Sequence, residues 1–219
     1  MYVRSRMTKD PITITRQTTI AEALDIMRNN SIRRLPVMEK GKLVGIVTER
    51  DLMELSPSPA TSLSVFEINY LLAKTKIGDV IPKQQNVITV APDALLEEAA
   101  LLMRDHKIGA LPVCENGKLV GIITETNIFD AFIDLLGVRE AGIRITILTE
   151  DKPGVLADVT EVIRDYGANI SRIAVFRENA DKAFVIIRLT AADTSITDVL
   201  KTRGYNIVAV DIYEDMHAQ

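Results

Sequence analysis

Catalytic and metal-binding side chains are scarce in this chain, which has two histidines, one cysteine and no tryptophan among 219 residues. A lone thiol closes no internal disulfide, and Cys114 follows Leu111, Pro112 and Val113, so it reads as a small residue of a buried strand. His106 and His217 have no spacing that suits a metal and no partners for a triad. There is no phosphate-binding P-loop and no dinucleotide fingerprint. Neighbouring acids such as Glu97 and Glu98 point to different faces of a helix. No group is evident to activate a nucleophile or hold magnesium, so neither catalysis nor a resident metal or cofactor is expected.

Excess charge is also missing. Lys and Arg total 26 against 30 Asp and Glu, a formal charge of −4, which argues against nucleic acid or an anionic membrane as a partner. No segment approaches the roughly 20 apolar residues of a membrane span. The start, MYVRSRMTKD, is polar and without an apolar run of signal-peptide length, so the expected location is cytoplasmic.

What the chain does have is an internal duplication. Leu35 aligns with Leu111, 76 positions on, and the register holds without a gap from Pro11/Val87 to Met53/Phe129. Gly41 to Ile46 matches Gly117 to Ile122 letter for letter. In each copy Ile12-Thr13-Ile14 or Ile88-Thr89-Val90 alternates toward a strand. Ile20, Ala23, Leu24 and Met27, or Leu96, Ala99, Ala100 and Met103, then fall at helical spacing. Two strands follow around Lys40-Gly41 or Asn116-Gly117, a two-residue hairpin signal, and a closing helix begins after Thr48 or Thr124. The unit is β-α-β-β-α. His106 aligns with Asn30 at a helix end, a capping or exposed position, and Met7, Met27, Met53 and Met103 read as core filler.

The predicted boundaries are 1–56 and 77–136 for the two copies, with a linker over 57–76. That linker opens on the Pro/Ser-rich SPSPATS and carries a helix, marked by Val65, Ile68, Leu71 and Leu72, that docks on the pair. A second linker over 137–142 leads to a different pattern over 143–213, and 214–219 is a tail. From Arg144 the order is strand, loop EDKPG, helix with Val155, Val159, Val162, Ile163 and Tyr166 on one face, two strands, a helix at 195–203 and a final strand. That is the ferredoxin-like β-α-β-β-α-β order, and the fold class is α+β.

Thr48 stands where a buried strand runs into a helix, and Asp51 follows three residues later. A capping box explains both residues without any ligand. The same helix start also suits a phosphate, with Asp51 placed to accept from two ribose hydroxyls. Arg33, Arg34 and Arg50 gather near it, where the second copy has Gly109, Ala110 and Thr126. Charge-assisted bonds are about twice as strong as neutral ones, so the first site is expected to prefer a phosphorylated ligand and the second to bind more weakly. A solvated basic edge is the alternative for these arginines, since consecutive Arg33 and Arg34 cannot both point the same way from a strand.

The duplicated unit, RRLPV, GALPV and the GxxTxxD pattern resemble the cystathionine-β-synthase (CBS) domain pair over roughly residues 1–135. The resemblance implies a pseudo-twofold module with two clefts for adenosine-containing ligands such as AMP, ADP or ATP. Carried over, site one takes Thr13, Ile14, Arg33, Arg34, Leu35, Pro36, Thr48, Arg50 and Asp51. Site two takes Thr89, Val90, Ala110, Leu111, Pro112, Thr124 and Asn127. Residues of one copy can also border the other's cleft under such packing.

DKPGVLADV followed by GANIS resembles an ACT domain. This implies an amino-acid site facing a neighbouring subunit, at Asp151, Gly154, Val155, Leu156, Asn169 and Ile170. A plain helix start at Gly154 and a turn at Asn169 account for the same residues. The domain order as a whole resembles the acetoin-utilisation B (AcuB-like) family. The expectation is a non-catalytic homodimeric regulator that senses an adenine nucleotide in the CBS pair and an amino acid at the ACT domain, and signals to an unknown partner protein. The rival expectation is a ligand-independent oligomerisation scaffold.

Overall fold

A computed structural model describes residues 1–54, 64–83, 85–179, 181–190 and 193–214. SPSPATS, most of the 214–219 tail and His217 lie outside them. The chain divides into two compact units, Met1–Ile128 and Phe129–Gln219.

The first unit holds both repeats. Repeat one comprises β2 (Ile14–Thr15), α1 (Ile20–Asn29), β3 (Arg34–Glu39), β4 (Lys42–Thr48) and α2 (Glu49–Glu54). After α3 (Val65–Lys74) and the short α4 (Ile77–Val80), repeat two comprises α5 (Leu96–His106), β5 (Ala110–Glu115), β6 (Lys118–Thr124) and the start of α6 (Glu125–Leu136). A short β1 (Thr8–Lys9) precedes them. The order in one sheet is β2-β3-β4 and in the other β1-β6-β5. The leading strand is shorter than its alternation suggested. In repeat one only Ile14 and Thr15 pair with β3, and in repeat two only Val90 bridges to Val113.

Each hairpin turns through two residues of positive φ, Lys40 and Gly41 at 48° and 76°, and Asn116 and Gly117 at 50° and 76°. Two left-handed residues give the turn whose twist matches the flanking strands, so the duplicated letters carry a backbone requirement. The core of repeat one gathers Ile14, Ile20, Ala23, Met27, Leu35, Val37, Val47, Leu52 and Ile77. Ile77 opens the segment that leads into repeat two, and Leu72 of α3 packs against the same cluster. The linker helix therefore docks on repeat one. Met53 is 56% exposed, which corrects its reading as core filler. The register of α2 turns it outward while Leu52 points in. Cys114 is half-buried in β5, and burial pushes its thiol pKa up.

The polar opening residues have a structural role that their composition hid. Val3 is fully buried, its N–H donates to Ala94 O at 2.9 Å, and the N–H of Arg4 donates to Pro92 O at 2.9 Å. Thr8 and Lys9 then pair with Ile122 and Gly121 of repeat two. The segment that leads into repeat two makes the matching bonds to repeat one, from Ile77 N to Thr18 O at 2.9 Å and from Gly78 N to Arg16 O at 2.8 Å. Each repeat is thus completed by the chain that leads into the other.

The second unit is built on β7 (Gly142–Glu150), α7 (Val155–Tyr166), β8 (Ile170–Arg177), β9 (Lys182–Leu189), α8 (Ile196–Thr202) and β10 (Asn206–Tyr213). Its antiparallel sheet runs β10-β7-β9-β8. Ile143, Ile145, Ile147, Val185, Ile187 and Leu189 face α7 and α8, where Val159, Val162, Ile163, Ile196 and Leu200 close the core. Gly167 ends α7 at φ 81°, the left-handed residue expected after a helix.

Candidate functional site

A cleft of about 810 Å³ opens in the first unit between the repeats. Repeat one supplies Arg33 and Arg34 at the start of β3, Ile46 on β4, and Thr48, Glu49, Arg50, Asp51 and Glu54 at the β4–α2 junction. The opposite wall is Gln85–Ile88, which leads into repeat two, with Lys107–Ala110 and Pro112 beyond it.

At the junction, Thr48 and Asp51 close a reciprocal pair. The Thr48 N–H donates to Asp51 Oδ2 at 2.9 Å, and the Asp51 N–H donates to Thr48 Oγ1 at 3.1 Å. The capping box is therefore formed, and it occupies one carboxylate oxygen of Asp51. In repeat two Asn127 takes Asp51's place. Its Oδ1 accepts from the Thr124 N–H at 2.9 Å and from the Thr124 hydroxyl at 2.8 Å.

The cations of the cleft are not equivalent. Arg50 donates to Glu54 at 2.8 Å with its side chain 87% exposed, and Glu54 holds its pKa above the ordinary value. Its charge is already engaged one turn along the helix. Arg33 is exposed and Arg34 half-buried. The Arg34 guanidinium crosses to repeat two and lies over Gly109, where an added Cβ would meet it and would also stand 2.7 Å from Glu125 Oε2. The missing side chain at 109 is what admits Arg34. Among the described residues no carboxylate makes an ion pair with Arg33, Arg34 or Lys107, so these three retain charge for an anionic ligand.

Of the residues assigned to site one, the cleft brings together Arg33, Arg34, Thr48, Arg50 and Asp51. Thr13, Ile14, Leu35 and Pro36 are not on its wall. Ile14 and Leu35 are 3% and 0% exposed within the core of repeat one, and Pro36 is buried. Their place is taken by Val87 and Ile88, because the lead-in segments cross between repeats. From the site-two set, Ala110 and Pro112 line this same cleft, whereas Thr89, Val90, Leu111, Thr124 and Asn127 do not. Lys107, Gln85 and Asn86 were missed. Lys107 carried one signal, since it aligns with Ser31 just past a helix, and both adopt positive φ, 54° and 53°.

In the second unit, Asp151 is ion-paired with Arg177, which raises the arginine's pKa, and its N–H donates to Asp181 O at 2.9 Å. Gly154 has φ 94° at the start of α7, followed by a half-buried Val155 and a Leu156 that is 41% exposed. Asn169 and Ile170 line a separate open groove with Thr160, Ile163, Arg164 and Gly167. The two groups sit at opposite ends of a 12-residue helix, about 18 Å apart at 1.5 Å per residue. One copy of the domain therefore does not join them into one site.

Residues 3–58 and 77–134 match the CBS domain family, and residues 143–195 match the ACT domain family. A CBS domain-containing protein of Dictyostelium discoideum is 35% identical over 138 residues, covering 62% of this chain and 94% of the relative. A crystal structure from Vibrio cholerae, described as an acetoin utilization protein (AcuB), is 35% identical with a TM-score of 0.51, covering 63% of this chain and 94% of that one. An inosine-5'-monophosphate dehydrogenase of Korarchaeum cryptofilum is 33% identical over 162 residues, but the match spans 71% of this chain and only 30% of the enzyme. The duplicated fold and these matches agree: the chain belongs to the CBS domain family, as a tandem pair followed by a C-terminal ACT domain.

Proposed function

We propose that the cleft of the first unit binds an adenine nucleotide and that the protein is a non-catalytic regulator. The observation that carries this reading is the set of cations that no carboxylate pairs among the described residues, Arg33, Arg34 and Lys107, on the wall of a cleft of about 810 Å³. The anionic end of the ligand is assigned to them, its ribose to Asp51, and its base to the apolar surface of Ile46, Val87, Ile88 and Pro112. Arg50 has a lesser part because Glu54 already holds it. Asp51 has one oxygen outside the capping bond to offer a sugar hydroxyl.

The cleft draws its walls from both repeats, so a ligand that fills it favours one arrangement of the pair over another. Regulation follows only if the ligand binds one arrangement better. The response is read by a partner protein, and the working form is a homodimer in the cytoplasm. An amino acid bound at the ACT domain would need a second copy, since Asp151 and Asn169 lie at opposite ends of α7.

Calorimetric titration of the purified protein with ATP, AMP and adenosine tests the nucleotide reading. Phosphorylated ligands are expected to bind more tightly than adenosine. Equal affinity for all three, or no binding at all, removes it. The rival reading, a scaffold that needs no ligand, draws on the reciprocal Thr48–Asp51 cap, which is complete in itself. A nucleotide-dependent rise in Tm separates the two.

A further inference from the structure

On the face of the ACT sheet opposite α7 and α8, one row of side chains crosses all four strands. Asp211 on β10 pairs in register with Arg144 on β7, Arg144 with Arg188 on β9, and Arg188 with Arg172 on β8. Three arginines thus stand side by side. Like charges directly opposite each other in a sheet are destabilising, so the row needs anions.

Two of the three have them. Arg144 donates to Asp211 at 2.9 Å and Arg172 to Glu140 at 2.7 Å. These are the outer and more exposed arginines, with side chains 28% and 38% exposed. The central Arg188 is only 8% exposed, and no carboxylate among the described residues pairs with it. Its guanidinium carbon lies 4.3 Å from the centre of the Tyr213 ring, and its stem passes beneath Gly137. The ring covers one face of the guanidinium and accepts none of its N–H groups. Burial should select for pairing, because an uncompensated charge is most costly where water is least available. Here the order is reversed: the buried cation is the unpaired one.

A second orphan lies on the same face. Thr146 is two residues along β7 from Arg144, hence diagonal to Arg188, and it is 8% exposed. Its Oγ1 is buried without any hydrogen-bond partner among the described residues. A buried hydroxyl without a partner and a buried guanidinium without a counterion, one diagonal step apart, call for the same missing group.

We propose that this face is a binding site for a small oxyanion, the carboxylate or phosphate group of a metabolite, held by the donor edge of Arg188 with Arg144 and Arg172 flanking it. The planar guanidinium fork suits either group, and the net charge of the row, three arginines against Asp211 and Glu140, leaves one positive charge for the ligand to neutralise. The Thr146 hydroxyl supplies a further donor toward the same face. The site is separate from Asp151, Gly154 and Asn169, which lie at the ends of α7.

The test is thermal denaturation of the full chain in sodium acetate and in sodium phosphate against sodium chloride at matched ionic strength. The wild type and Arg34→Ala, in which the nucleotide cleft loses one of its three unpaired cations, are expected to show the same saturable rise in Tm of a few degrees with one or both anions. Acetate acting alone identifies a carboxylate ligand, and phosphate acting alone a phosphate ligand. Arg188→Met is expected to lose the response while unfolding at or above the wild-type Tm in chloride, because it removes an uncompensated charge. Arg188→Lys keeps the charge but not the fork, and its half-saturating anion concentration is expected to rise at least roughly tenfold. No response in the wild type, loss of the response in Arg34→Ala, or an undiminished response in Arg188→Lys or Arg188→Met would each overturn the proposal.

Discussion

The backbone N–H of Ile46, in the middle of β4, donates to the side-chain Oε1 of Gln85 at 3.0 Å. On the sheet of repeat two the matching region is covered by a strand, where Thr8 and Lys9 pair with Ile122 and Gly121. Repeat one does with a side chain what repeat two does with backbone. Gln85 also lines the cleft, so one amide both completes a sheet edge and shapes the proposed binding wall.

Replacing that amide should therefore affect fold and cleft together. Gln85→Ala leaves the part-buried Ile46 N–H without its acceptor, a loss of about 1 kcal/mol. The expected result is a Tm lower by roughly 3 °C together with weaker AMP binding in calorimetry. Gly45→Ala reaches the same end from the other side, since its Cβ would stand 2.8 Å from Gln85 Oε1.

Asp51 combines a cap with a proposed ribose contact, and two substitutions separate them. Asp51→Asn reproduces the Thr124–Asn127 arrangement of repeat two, in which the amide oxygen accepts from the Thr124 N–H. It should hold stability within about 0.5 kcal/mol while weakening AMP binding roughly tenfold, or about 1.4 kcal/mol. Asp51→Ala should lose about 1 kcal/mol of stability as well. Chemical denaturation and calorimetry on the same samples resolve the two effects.

Gly109→Ala places a methyl group where the Arg34 guanidinium lies, 2.7 Å from Glu125 Oε2. Both neighbours are ends of flexible side chains, so the fold should survive. Arg34 would swing from its seat, and affinity for ATP is expected to fall roughly fivefold, about 1 kcal/mol. Adenosine affinity should hardly change. An equal loss for both ligands would place Arg34 outside phosphate recognition.

Acid should weaken the first unit through its helix starts. Glu22 accepts from the Thr19 N–H and Glu67 from Ser64, first through its hydroxyl and then its N–H, and both carboxyls are held below their ordinary pKa. A group whose folded pKa is depressed stabilises the fold above its unfolded pKa and loses that contribution as pH falls through the folded value. The loss is therefore expected on the acid limb below about pH 4. Glu22→Gln should flatten that limb of a Tm-against-pH curve and leave the neutral region nearly level.

The duplicated letters and the apolar periodicity made the element order readable, because α1 and α5 bury the same face and both hairpins need two left-handed residues in the same place. The Thr48–Asp51 cap was readable from its three-residue spacing at a strand end, and the cleft arginines from the contrast with Gly109, Ala110 and Thr126 in the second copy. The membership of the cleft was harder to read. Ile14 and Leu35 enter the site set through the CBS resemblance, and the strand pattern could not test them, because it does not say which of its faces meets the core. Val87 and Ile88 carry no sequence sign of a place in the cleft, since the exchange of lead-in segments is a long-range pairing with no local signal. The opening residues hid in a similar way, for the burial of Val3 depends on Pro92 and Ala94, some ninety positions away.

That exchange separates heredity from architecture. The block that was copied in the ancestral gene is not the block that closes on itself in space, because Val3 seals the later copy and Ile77 the earlier one. A fragment cut cleanly between the copies would carry a plug for a socket it lacks and a socket without its plug. Two such fragments mixed in one tube should restore each other, whereas either alone should be sticky and poorly folded. The ancestor of this pair, if it was a single copy, would have met the same need by trading arms with its twin.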